Sequence, residues 1–274
     1  MPTEGEEVRE DLSLNAFTDI DGVDGLAPYI AALEAFDGIE QLRELKRIAR
    51  ALVRPGMSVL DVGCGFGLET LPLALLAGPG GRVRGIDKSA HFIEEARRRA
   101  VAAGIATDFA VGSADALPGT DGAFDHVRSE RLLIYFAAVE PVLAEMRRVL
   151  RPGGTLALIE PDLGTTTVNL SNRALVRRVM AHESDTAVAQ SWLPGRLPAM
   201  LGRLGFADVA YSTRVVVMPP GLAAAYFLNA GRKAAAARAI SAAEFSEWQA
   251  GLDALHRSDE LIGSEGFCLF TARR

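Results

Sequence analysis

Apolar positions recur at helical spacing through Leu42, Leu45, Ile48, Ala49 and Leu52, so Leu26 to Val53 reads as two helices divided near Gly38. Arg54-Pro55-Gly56 stops the second. A regular alternation follows. Met57 to Val62 is a short apolar run expected as a strand, and Leu68 to Ala77 a helix that tolerates Pro72 in its first turn. Arg82 to Asp87 is a second strand, followed by a helix from Ser89, its N-cap, to Ala103, closed by Gly104. Thr107 to Val111 and Ala123 to Arg128 are strands three and four. Val139 to Leu150 is a helix ended by Arg151-Pro152-Gly153-Gly154, and Thr155 to Glu160 is strand five. Beyond it the pattern loosens. Leu170 to Ala189 is one helix or two, Leu197 to Leu204 is a short helix, and Phe206 to Val217 is a β-branched strand. Pro219 to Ala239 and Ser241 to His256 are helices, the latter opened by a Ser241/Glu244 capping box, and Gly266 to Ala272 is a last strand.

Strands alternating with helices predict an α/β fold: a parallel sheet with helices on both faces, doubly wound by right-handed crossovers. Such sheets bind ligands beyond the carboxyl ends of their strands, where strand order reverses. The chain divides into a leader, residues 1–25, and a single domain, residues 26–274. Within that domain we expect N-terminal helices (26–53), a ligand-binding core (54–162), and helical additions (163–195 and 219–256) able to form a lid.

Composition changes the picture in three respects. With 49% hydrophobic and 23% charged residues over 274 positions, wholesale disorder is excluded. The net charge of −6 is concentrated in the leader, where the acidic residues face Arg9 alone. The remaining body is near neutral, without the positive field that nucleic-acid binding demands. The leader reads either as a solvated terminus or as a flap that orders over a bound ligand. Two cysteines, Cys64 and Cys268, fit a reducing cytosol, the start carries no signal-peptide pattern, and the longest apolar stretch, Val215 to Ala230, is interrupted by Pro219, Pro220 and Gly221. A cytoplasmic protein without membrane or nucleic-acid partners is expected. Add-on helices could pair two copies. His91, His126, His182 and His256 form no metal-ligand spacing, so no metal is expected.

The most informative segment is Val59-Leu60-Asp61-Val62-Gly63-Cys64-Gly65-Phe66-Gly67. Alternate glycines between a strand and a helix let a ligand approach the backbone and leave N–H donors free. The spacing G-x-G-x-G departs from the dinucleotide fingerprint G-x-G-x-x-G. Asp61, just before the loop, would repel a pyrophosphate and suits a cationic ammonium or sulfonium. Asp87, ending strand two, matches a carboxylate that accepts from both ribose hydroxyls. The loop Gly112-Ser113-Ala114-Asp115 after strand three offers an acceptor to an adenine amino group.

VLDVGCGFG, GIDKS, GSADALP, FDHVRSERLL and EMRRVLRPGGTLALIEPD together resemble the Rossmann-like class I S-adenosylmethionine-dependent methyltransferases, and within them the ubiquinone/menaquinone-type small-molecule branch. The resemblance implies a seven-stranded sheet with a final antiparallel strand. It implies S-adenosyl-L-methionine as cofactor, with S-adenosyl-L-homocysteine as product. Asp61, Gly63, Cys64, Gly65 and Gly67 would surround the methionine part, with Asp87 on the ribose, Lys88 flanking the ring, and Ala114 and Asp115 at the adenine. Ser129 would lie beneath the sulfonium. Many relatives carry histidine in the segment after strand four, where this chain reads Leu132-Leu133-Ile134-Tyr135-Phe136. The Asn/Asp-Pro-Pro-Tyr/Phe motif of amino-methylating DNA and protein enzymes is replaced by Arg128-Ser129-Glu130-Arg131.

The expected activity is methyl transfer to a small hydrophobic or aromatic metabolite. The alternative is a non-methylating enzyme of the same fold, such as a cyclase or decarboxylase. Tyr135, His182 and Glu160 are the candidate catalytic residues: Tyr135 stands near the missing histidine, His182 is either a base or part of a solvated helix face, and Glu160, like Asp162, ends strand five at the carboxyl edge.

Overall fold

The computed structural model describes residues 20–22 and 25–274. Most of the acidic leader therefore lies outside the described residues. Its strands are β1 (Ser58–Val62), β2 (Arg82–Asp87), β3 (Asp108–Val111), β4 (Phe124–Glu130), β5 (Leu150–Val168), β6 (Ala207–Val217) and β7 (Gly263–Arg273). They form one sheet of order β3-β2-β1-β4-β5-β7-β6, parallel except where β7 runs antiparallel between β5 and β6. Strand order reverses between β1 and β4, which places the switch point at the carboxyl ends of those two strands.

The helices are α1 (Ala27–Asp37), α2 (Glu40–Arg50), α3 (Thr70–Ala77), α4 (Ala90–Ala103), α5 (Glu140–Val149), α6 (Arg173–Thr186), α7 (Leu197–Arg203), α8 (Pro220–Ala236) and α9 (Ala242–Arg257). The period-two burial of the strands sorts them onto two faces. Leu156 and Leu158 of β5 pack with Val142, Leu143 and Met146 of α5 and with Leu197 and Leu201 of α7. Ala157 and Ile159, the alternate positions, pack with Leu42, Leu45 and Ala49 of α2. Ser89 caps α4 through Phe92 N, and Ser241 with Glu244 forms the expected capping box on α9.

Two elements outrun their sequence signals. Strand β5, predicted over residues 155–160, starts at Leu150, where Phe124 of β4 pairs with it, and continues to Val168, because β7 supplies ladder partners beyond Pro161 and Gly164. Strand β7 likewise starts at Gly263 rather than Gly266. The register between them shifts between Asp162 and Thr167, the kind of irregularity that re-aims side chains near sites.

The additions 163–195 and 219–256 take different roles. The first becomes the end of β5 and the single helix α6, which packs against β5 and α8. The second becomes α8 and α9, inserted between β6 and β7. These elements share a core of their own around Trp248, Phe227, Val179 and Leu252. Trp248 is fully buried and its Nε1 donates to the Phe227 carbonyl at 2.8 Å, while Gly231 lies so close that a Cβ there would meet Trp248 Cδ1 at 2.5 Å. No helix among the described residues is long and apolar enough to cross a membrane. Replacing Trp248→Ala should remove about 3–5 kcal/mol of unfolding free energy, read from urea titration; a loss below 1 kcal/mol would contradict the packing described.

Candidate active site

The loop after β1 is built from glycines with different tasks. Gly63, Gly65 and Gly67 all have positive φ, at 69°, 52° and 86°. At Gly63 a Cβ would meet Leu132 Cδ1 at 2.7 Å and at Gly67 it would meet Phe109 Cζ at 3.0 Å, so tight packing excludes side chains there. At Gly65 nothing lies within 4 Å, and this residue faces open cavity. The Asp87 carboxylate braces the loop: Oδ2 accepts from Gly65 N and Oδ1 from Ser89 N, both at 2.9 Å. Burial raises the Asp87 pKa, and those N–H donors pull it back. Each carboxylate oxygen keeps a lone pair for further donors.

A cavity of about 790 Å³ opens over the switch point. Gly63 to Phe66, Asp87, Lys88 and Gly112 to Ala114 line one end. Phe36 of α1, Tyr135 and Phe136, Tyr226 and Leu228 of α8, and Glu265 and Phe267 of β7 line the other. Leu252, Asp253 and His256 of α9 complete the roof. Ile20, buried with Tyr29, Phe66 and Phe92, also reaches the cavity, and Asp21 beside it accepts from Ser89 Oγ and from Ala90 N.

Beneath the cavity lies a buried ion network. Lys46 Nζ of α2 reaches Asp37 at 2.5 Å, Glu130 at 3.1 Å and Glu69 at 3.3 Å. Arg50 holds Glu69 at 2.5 Å. Arg128 bridges Asp61 at 3.1 Å and Glu130 at 2.9 Å, and Arg131 approaches Glu130 at 3.3 Å. The surrounding cations hold the Glu130 carboxyl well below the ordinary glutamate range despite its burial. Lys46, Arg50, Arg128 and Arg131 are thus matched by Asp37, Asp61, Glu69 and Glu130.

The structure brings Gly63, Cys64, Gly65, Asp87, Lys88, Ala114 and Tyr135 together on the cavity wall. Other expected residues sit elsewhere. Asp61 is fully buried behind the loop, its charge taken up by Arg128 and by Thr70 Oγ1 at 2.7 Å, so it is a strut and not a cavity carboxylate. Gly67 packs on Phe109. Asp115 is exposed and accepts from Ser113 Oγ, leaving Gly112 to Ala114 as the wall. Ser129, in register with Val62, is buried inside the sheet, while its neighbours Arg128 and Glu130 line the cavity. His182 lies on α6, away from the cavity lining. Glu160 is fully buried and accepts from Leu132 N at 3.2 Å and Leu133 N at 2.9 Å, holding the turn that carries Tyr135. Asp162 also misses the wall. No part of 163–195 lines the cavity, so the roof belongs to α1, α8 and α9. His126 is buried and neutral, its Nδ1 2.7 Å from Thr155 Oγ1 and its pKa pushed down to about 3 by desolvation.

Sequence reading missed Lys46, Glu69, Arg131, Tyr226 and Glu265, all on the wall. Arg131 carried a signal only in retrospect: it adopts φ 51° directly after β4, a conformation costly for any residue with a Cβ and concentrated at functional sites. Its guanidinium sits 5.4 Å over the Phe36 ring.

Residues 60–158 match the family described as a methyltransferase domain. An uncharacterised 37.1 kDa protein of a Streptomyces fradiae transposon is 39% identical over 154 residues, covering 56% of this chain and 44% of that protein. The ubiquinone/menaquinone biosynthesis C-methyltransferase of Bordetella avium is 38% identical over 123 residues, 45% of this chain and 48% of the relative. The chain spans about half the length of these curated relatives. Among solved structures, the Haemonchus contortus phosphoethanolamine N-methyltransferase 2, in complex with phosphomonomethylethanolamine and S-adenosylhomocysteine, superposes with a TM-score of 0.54 at 20% identity over 86% of this chain and 52% of that one. This last likeness is one of fold.

Glu160 generates a pH test. Burial raises its carboxyl to about 7 from an ordinary 4.5, so the unfolded state ionises first and wild-type stability falls as pH rises between those values. Glu160→Gln keeps an acceptor for Leu133 N–H without the charge. In urea titrations across pH 4 to 8 the variant should gain on wild type as pH rises; parallel curves would contradict the assignment.

Proposed function

Starting from residues 60–158 as a class I S-adenosylmethionine-dependent methyltransferase domain, we propose that the whole chain transfers the cofactor's methyl group to a small apolar or aromatic metabolite. The observation that carries this reading is the continuity of the cavity: one volume runs from the glycine loop and Asp87 to an aromatic wall of Phe36, Tyr135, Phe136 and Phe267. Its size lies within the range of small-molecule sites and its far walls are mostly apolar.

The site's residues fit the cofactor. Gly65 has room for a ligand against the backbone, and Asp87 has spare lone pairs for the ribose hydroxyls. Gly112 to Ala114 make the adenine wall, and Lys88 flanks it. S-adenosylmethionine, when bound, supplies a methyl group activated by a positively charged sulfur. The chain's part is to hold the acceptor in line with that methyl and to exclude water. Glu69 and Glu130 reach the wall with their countercharges already in place, so the ion network brings little net charge of either sign to the ligand. Tyr135 is half-buried, and desolvation raises its phenol well above the ordinary range, so at neutral pH it acts as a hydrogen-bonding group and not as a base. Relatives named as quinone-pathway C-methyltransferases support an aromatic acceptor.

Calorimetry should show S-adenosylhomocysteine binding and no heat with NAD. Asp87→Ala should weaken that binding by about 1–3 kcal/mol, from charge-assisted hydrogen bonds lost and loop N–H groups left open; unchanged affinity would remove the ribose assignment. With S-adenosylmethionine carrying a labelled methyl, label should enter apolar hydroxylated aromatics. Conversion of substrates without label transfer would replace the reading by a cyclase or decarboxylase.

A further inference from the structure

The end of the cavity remote from the glycine loop is mostly apolar, with Arg131, Asn229, Arg232, Asp253 and His256 among its polar lining, and one cluster there is buried. Glu265 of β7 is buried, lines the cavity, and has a single hydrogen bond among the described residues, from Thr166 Oγ1 to Oε1 at 3.1 Å. Tyr226 of α8 lines the same space, and its buried hydroxyl has Thr166 as a polar neighbour but makes no well-formed hydrogen bond. Phe267, two residues along β7, and Phe36 pack together at 6.3 Å between ring centroids. A buried carboxyl with an open oxygen and a buried hydroxyl whose bonds are incompletely made are costly unless a ligand completes them.

The chemistry narrows what that ligand carries. Arg131, Asp162, Glu183 with its partner Lys233, Tyr135 and Tyr226 face Glu265 from the surrounding elements. Burial dominates, and the Glu265 carboxyl is pushed up to about 7, so both protonation states are within reach at neutral pH. Such a group pairs with a partner that both donates and accepts. An ammonium would put a second positive charge into a cavity that the proposed cofactor already makes cationic. A neutral hydroxyl meets both requirements.

Resting on the methyl-transfer reading, we propose that Glu265 and Tyr226 form an acceptor subsite that recognises a hydroxyl group on an otherwise apolar ring system. Methylation itself need not occur at that hydroxyl. The pair acts in specificity, choosing hydroxylated over bare hydrocarbon acceptors. The β5–β7 register shift places the pair here: it lies between Asp162 and Thr167, opposite the strand segment that carries Glu265.

The test uses the full chain saturated with an unreactive S-adenosylmethionine analogue that carries an ammonium in place of the sulfonium, and three probes on one ring system: 2-naphthol, naphthalene and 2-naphthylmethylamine. Wild type should bind 2-naphthol at least ten-fold more tightly than naphthalene. Glu265→Leu should abolish that ratio and Tyr226→Phe should reduce it several-fold, while Glu265→Gln retains part of it. S-adenosylhomocysteine affinity should stay within two-fold in every variant, which also reports folding. Equal binding of naphthol and naphthalene, a preference that survives Glu265→Leu, tighter binding of the amine, or no binding of any probe would each overturn the subsite. If S-adenosylhomocysteine itself fails to bind wild type, the methyl-transfer reading falls. A Glu265-dependent naphthol preference measured without it would then stand alone.

Discussion

Lys46 decides where the ligand-facing ends of this molecule sit. Its ammonium, buried in α2, joins Asp37 at the end of α1, Glu69 after the glycine loop and Glu130 at the end of β4. Burial alone would lower its pKa, but the attraction of Glu130, Glu69 and Asp37 outweighs that and leaves it raised, so it keeps its proton. Because Glu130 also holds Arg128, and Arg128 holds Asp61, one chain of contacts runs from the N-terminal helices through the sheet to the strand beneath the loop. An apolar core could supply equal stability. It could not fix the relative positions of these elements with the directional contacts that a shaped cavity needs.

The arrangement separates two tasks. The floor, from Gly63 to Ala114, lies within residues 60–158, the part shared with the methyltransferase domain family. The opposite wall adds α1, α8, α9 and β7, outside that span, to Tyr135 and Phe136, which lie within it. Likeness to relatives therefore bears on the cofactor end, and the acceptor end must be argued from this chain's own residues. Glu160 shows how the two are joined: buried beneath the cavity, it holds the turn on which Tyr135 reaches the acceptor space.

Most of the fold was legible because its signals are local. Alternating apolar runs, the Ser89 cap, the Ser241 capping box and the glycine loop each act within a few residues. The glycine-loop end of the cavity was legible for the same reason at Gly63, Gly65, Asp87 and Ala114, which all line it. Asp61 was misread because sequence shows a carboxylate before the loop but not Arg128, which lies beside it only after β1 and β4 pair. His182 and Glu160 were chosen by position after or at a strand end, and position says nothing about which way a side chain points. Glu265 was overlooked because β7 seemed to start at Gly266, and the three extra residues are strand only because β5 and β6 continue beside them. Non-local pairing, invisible to a linear pattern, made the acceptor wall.

The separate core around Trp248 has a further consequence. α6, α8 and α9 bury their apolar faces mainly on one another, on the tail of β5 and on the approaches to β6 and β7, apart from the clusters that hold β1 to β4. Elements with their own core can open as a unit while the rest stays closed. Mild denaturation would then lift α8 and α9 off the cavity while the glycine loop and the strands beneath it stay in place.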